Sequence, residues 1–123
     1  WWLPEIDIVE ILSKSPKKPY FTNHWQDSSA SDGFRSQQQS EKTADLTAEF
    51  HNYGVEWTQG RITWYLDGAP VATTNAGVPQ EPLMVLFTLM AGSDWAGPAD
   101  INSLPSKMEV EWVRVYDARP WNH

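Results

Sequence analysis

The chain has 123 residues, enough for one domain and too few for two comfortable ones. Its net charge of −7 and pI near 4.7 argue against nucleic acid and anionic membrane surfaces, both of which attract basic proteins. The absence of Cys excludes disulfide staples, thiol catalysis and Cys-based zinc sites, and no apolar run reaches the length of about 20 residues that a membrane-spanning helix needs.

Taken in order, the chain reads as strands and loops with almost no helical periodicity. Residues 5–12 (EIDIVEIL) form a first expected strand, and residues 13–19 (SKSPKKP) a Pro- and Lys-rich turn. Residues 20–25 form a second strand. Residues 26–47 are polar, rich in Ser, Gln and Asp, and read as one long loop. Residues 50–58 and 61–67 are strands joined by Gln59-Gly60, and Asp67-Gly68 marks another tight turn, since Gly tolerates positive φ. Residues 82–91 (PLMVLFTLMA) read as a strand buried on both faces. Residues 108–116 (MEVEWVRVY) alternate cleanly and read as the last strand. Six or seven strands without a repeat predict an all-β sandwich or jelly roll. Eight Trp supply flat apolar faces that fill such a core and also stack on sugar rings.

The chemistry concentrates in residues 5–10 (EIDIVE). Side chains alternate along a strand, so Glu5 and Asp7 share a face, and an undisturbed strand puts Glu10 on the opposite, apolar face. A carboxylate turned into a core costs several kcal/mol if unpaired. One extra residue, a β-bulge near Ile8-Val9, removes the conflict and brings Glu10 into line with Glu5 and Asp7. Three gathered acids repel one another and raise the pKa of at least one. Glycoside hydrolysis needs that combination of one ionised carboxylate and one protonated. A solvated acidic strand face is the plainer explanation of the acids, but it needs no change of phase at Glu10.

The same strand resembles the signature of glycoside hydrolase family 16, E-x-D-x-x-E. Further blocks agree in order: FHNYGVEWT at residues 50–58, RITWYLDG at 61–68, GSDWAG at 92–97 and VEWVRVY at 110–116. The resemblance runs from about Trp2 to Asp117 and implies a concanavalin A-like β-sandwich. Family members are about twice this long, so residues 1–123 are expected to form the C-terminal portion of a single catalytic domain. A sandwich so shortened exposes edges and apolar faces, and a second chain or copy is expected to complete it.

The resemblance also implies roles. Glu5 is the expected nucleophile, Glu10 the acid/base, and Asp7 the group that tunes them. Trp2, His24, Trp95 and Thr88 are the expected sugar contacts; Thr88 stands where the family usually has Asn, and Ser93 where it has Gly. His51 is expected to pack in its strand. No cofactor is expected. Glu111 replaces an Asp that binds calcium in some members; its longer reach does not by itself imply a structural calcium. The extra residue in the acid motif resembles the branch acting on β-1,3-glucans and marine galactans. The expected activity is a secreted, retaining endo-β-glycanase on β-1,3- or mixed β-1,3/1,4-glucan. An agar- or carrageenan-type galactanase, and a carbohydrate-binding half-domain without turnover, are the alternatives. The partner is a polysaccharide, with no nucleic acid and no membrane.

Overall fold

The computed structural model describes residues 3–116. They fall into two compact units, divided after Met84. The first unit is all-β, with strands β1 (Glu5–Glu10), β2 (Tyr20–Gln26), β3 (Phe34–Ser40), β4 (Tyr53–Thr58), β5 (Arg61–Leu66) and β6 (Ala69–Thr74). These make two three-stranded antiparallel sheets, in the orders β1-β2-β3 and β4-β5-β6.

The second sheet follows its turns. Thr58 pairs with Arg61 across Gln59-Gly60, and Leu66 pairs with Ala69 across Asp67-Gly68. Asp67 and Gly68 have φ of 51° and 81°, the paired positive values that fit the twist of a two-residue hairpin. His51 braces this turn. Its Nδ1 lies 2.8 Å from Asp67 Oδ2, and the Asn52 N–H donates to Asp67 Oδ1 at 2.9 Å. His51 thus has the structural role expected of it, although it sits just before β4 and not within it.

Alternation directs one face of each sheet inward. Phe21 of β2, Ile62 and Trp64 of β5 and Ala72 of β6 form the buried cluster, with Ile6, Val9, Val55, Trp57, Val71 and Val78 packed against it. Each fully buried Phe or Ile side chain stabilises the fold by about 1.5–3 kcal/mol relative to exposure. Polar side chains also tie the sheets together. The indole N–H of Trp64 donates to the Asp7 carbonyl at 2.9 Å, Gln39 donates to the Thr73 carbonyl at 2.7 Å, and Thr74 donates to Gln37 at 2.5 Å. Asn23, fully buried, donates to the carbonyls of Ala76 and Gly77. Gly77 is required there, because a Cβ would lie 2.0 Å from the Trp25 ring and φ is +58°.

The second unit, described by itself, holds the 3₁₀ turn Ile101–Ser103 and a tight turn closed by Ser93 and Gly97. Two sequence expectations fail here. Residues 82–91 and 108–116 form no paired strand, and Leu86, Phe87, Leu89, Met90, Val110, Trp112 and Val115 are exposed. Periodicity prepares a segment for a sheet, but a strand exists only where a neighbour takes its N–H and C=O groups. Among the described residues no such neighbour pairs with either segment. The reverse error occurs at residues 26–47. They are not one loop, because they contain β3, a seven-residue strand paired along its whole length with β2.

Candidate active site

The acid row depends on the phase of β1. Asp7 pairs with Thr22 but Glu10 pairs with Tyr20, so β1 takes three steps where β2 takes two. This is the expected bulge. Ile8 absorbs it and is 36% exposed, while Ile6 and Val9 both reach the core. Glu5, Asp7 and Glu10 consequently share one face, opposite His24, Thr22 and Tyr20 of β2. The next row, from β3, carries Ser36, Gln38 and Ser40, with Phe34 beyond them. The buried Trp64 holds the centre of this row through the backbone carbonyl of Asp7.

The electrostatics differ along the row. His24 Nε2 lies 2.9 Å from Asp7 Oδ2, with both side chains about one-fifth exposed. That hydrogen bond and the Asp7 charge, with smaller contributions from Glu5 and Glu10, raise the His24 pKa against the opposing effect of burial. Burial pushes the Glu10 carboxyl upward, and the neighbouring Asp7 charge adds to it; His24 and the Thr22 hydroxyl offset part of the rise. Burial also raises Glu5, followed by the charge and hydrogen bonding of Asp7. Both glutamates therefore hold protons more tightly than free carboxyls do. Asp7 and His24 form a hydrogen-bonded pair between them.

Three further residues join the site that the sequence reading missed. Thr22 is 1% exposed, and its hydroxyl lies 3.5 Å from Glu10 Oε2. Gln38 Nε2 lies 3.4 Å from the same hydroxyl. Both contacts are long for hydrogen bonds. Phe34 stacks on His24, with ring centroids 5.8 Å apart and planes 9° from parallel, which limits how the imidazole can turn. Thr22 could have been found by carrying the alternation of β2 outward from His24. Gln38 and Phe34 lie on a strand whose composition concealed it.

Of the expected site residues, the structure brings Glu5, Asp7, Glu10 and His24 together. Trp2 lies outside the described residues. Thr88 and Trp95 lie in the second unit, where both are exposed.

The description "Glycosyl hydrolases family 16" belongs to the family whose profile matches residues 2–114. The endo-1,3-1,4-beta-glycanase ExsH of Rhizobium meliloti is 32% identical over 118 residues, which are 94% of this chain and 24% of that protein. The Crh-like protein CRH12 of Candida albicans is 32% identical over 127 residues, covering 94% of this chain and 25% of its own length. Among solved structures, one from work on the endo-acting O-glycanases with which human gut bacteria initiate mucin breakdown superposes with a TM-score of 0.54. It is 28% identical and covers 63% of this chain and 29% of that one. The chain thus spans about a quarter of the length of the curated relatives it matches. With the profile matched over nearly all its residues, and with an all-β, two-sheet architecture, the chain belongs to glycosyl hydrolase family 16.

Proposed function

We propose that this chain carries the catalytic strand of a retaining endo-β-glycanase, with Glu5 as nucleophile and Glu10 as general acid/base. The observation that supports it most is the bulge that turns Glu10 onto the face of Glu5 and Asp7, where burial and the Asp7 charge raise its pKa. In the first step the Glu5 carboxylate attacks the anomeric carbon. The glycosidic C–O bond breaks, and Glu10 delivers its proton to the leaving oxygen. In the second step Glu10 takes a proton from water, the water oxygen attacks the same carbon, and Glu5 leaves as a carboxylate. The Asp7 charge adds to burial in raising the pKa of both glutamates. The names of the Rhizobium relatives favour a β-1,3- or mixed β-1,3/1,4-glucan as substrate. Residues 1–123 are read as a portion of one extracellular catalytic domain, with Trp2, Thr88 and Trp95 as additional sugar contacts.

The test is hydrolysis of laminarin and mixed-linkage glucan, followed by new reducing ends, with Glu5→Gln beside the unaltered chain. Activity that disappears in Glu5→Gln, with glucan binding kept, is the expected result. Activity surviving in Glu5→Gln would sink the assignment. A second reading is a half-domain that binds glycan but turns over only when another chain completes it. The exposed apolar residues between 84 and 90 and between 108 and 116 favour it. That reading expects binding without new reducing ends, and concentration-dependent assembly.

A further inference from the structure

The row that crosses the middle of the acid sheet ends beyond the acids. Asp7 of β1 pairs with Thr22 of β2, and Thr22 pairs with Gln38 of β3. Thr22 is 1% exposed, whereas Gln38 is exposed. Gln38 therefore reaches in from solvent toward a hydroxyl that solvent does not reach. Its Nε2 lies 3.4 Å from Thr22 Oγ1, and Thr22 Oγ1 lies 3.5 Å from Glu10 Oε2. The bulge makes the second contact possible, since it turns Glu10 onto the face that Thr22 shares.

A hydroxyl carries one proton and two lone pairs, an amide NH₂ only donates, and an ionised carboxylate only accepts. With the Gln38 nitrogen toward it, Thr22 Oγ1 serves as acceptor on that side, and its single proton has no place there. A buried hydroxyl needs a partner for its proton. The acceptor it meets among the described residues is Glu10 Oε2. A hydroxyl that accepts from an amide is also polarised into a better donor. Direction and strength thus come from a neutral side chain acting through Thr22. The charges that face Glu10 come from elsewhere: Asp7 and Glu5 on its own strand, and His24 on β2. The Tyr20 phenol stands opposite Glu10, with the Lys18 ammonium over its ring. β3 adds no charge, because its one charged residue, Arg35, is bound to Asp27. Glu56, the one charged residue of β4, accepts from the Tyr65 hydroxyl at 3.1 Å.

We propose that Gln38 is a positioning residue, whose side-chain amide aims the Thr22 hydroxyl proton at the Glu10 carboxylate. The inference deepens the glycanase reading and rests on it for what Glu10 does; the hydrogen-bonded arm itself requires no turnover. Aimed in this way, the hydroxyl favours ionised Glu10, the form that takes a proton from water in the second step. The arm offsets part of what burial and the Asp7 charge do in the other direction. Contacts of 3.4 and 3.5 Å carry a modest effect, and the expected factors are small accordingly.

The Glu10 titration is followed by carbon NMR of the carboxyl signals in the full chain, with Glu10→Gln to identify its signal. Gln38→Met keeps the length and removes the donor, so Glu10 should hold its proton about three-fold more tightly, the effect of part of one hydrogen bond. Gln38→Glu places an acceptor beside Thr22 that takes the hydroxyl proton for itself. There Glu10 should hold its proton about ten-fold more tightly. Gln39→Met, on the opposite face of β3, should leave the titration where it is. The same change is then made in a Thr22→Val background, or Thr22→Ala if that variant does not fold. In that background Gln38→Met should change nothing further, because the arm is already cut. A Glu10 titration unmoved by Gln38→Met, or moved equally with and without the Thr22 hydroxyl, would overturn the proposal. So would a shift to lower pH in Gln38→Met, which would mean that the amide presents its oxygen to Thr22 and draws the proton away from Glu10. The basic limb of laminarin hydrolysis should follow the Glu10 titration in each variant. Titrations that move as expected in a chain that releases no reducing ends would leave Gln38 aiming Thr22 and remove the glycanase reading.

Discussion

Trp64→Phe tests whether the core holds the acid row in place. Trp64 is fully buried, and its indole N–H reaches the Asp7 carbonyl at 2.9 Å. Phe fits the site but offers no donor. A partly buried carbonyl deprived of its partner costs about 1–2 kcal/mol. The space left by the missing pyrrole ring adds roughly 1–2 kcal/mol. The expected loss of unfolding free energy is therefore about 2–4 kcal/mol, read from urea denaturation with the slope unchanged. The freed carbonyl belongs to the strand that aims Asp7, so turnover should also fall by about ten-fold, in keeping with the sensitivity of catalysis to small misplacements. Trp57→Phe is the control. Its indole donates to the Pro79 carbonyl at 2.9 Å, away from the acid strand. It should cost stability and leave turnover intact. A stability loss below ~1 kcal/mol for Trp64→Phe, or equal damage to turnover by both variants, would refute the reasoning.

Further predictions concern protons. Asp7→Asn removes the charge that raises both Glu5 and Glu10. Both limbs of the bell-shaped pH–rate profile should therefore move to lower pH; an unmoved basic limb would show that Asp7 does not act on Glu10. Thr22→Val removes a hydroxyl that favours the ionised form of Glu10, so the basic limb alone should move up, and Thr22→Ser should bring it back. His24 has its pKa raised above 6.5 by Asp7, so the folded state holds this proton more tightly than the unfolded one. The resulting stability is fully present below pH 6.5 and is lost as pH rises through the higher folded value. Urea midpoints for the unaltered chain should fall across that window relative to His24→Gln, and parallel curves would count against the pair.

The acid strand was legible because its sequence contains a contradiction. Glu5, Asp7 and Glu10 cannot share a face while Ile6, Val9 and Ile11 share the other unless one residue is extra, and the pairing of Glu10 with Tyr20 supplies it at Ile8. The hairpins at Gln59-Gly60 and Asp67-Gly68 were legible for a similar reason, since local backbone geometry decides them. β3 was not. FRSQQQS has no apolar face to alternate, because one side meets the acid face and the other reaches the second sheet through Gln37 and Gln39. Thr22 and Gln38 became site residues only once strand register set them beside Glu10. The apolar segments at 82–91 and 108–116 show the opposite limit, because their pattern describes which side would be buried but not whether a neighbour is there to bury it. The sequence by itself determined the all-β class, the turns and the line of acids, which depend on chemistry within a few residues. Tertiary structure alone decided which strands pair and what stands opposite each acid, because those depend on contacts between residues far apart in the chain.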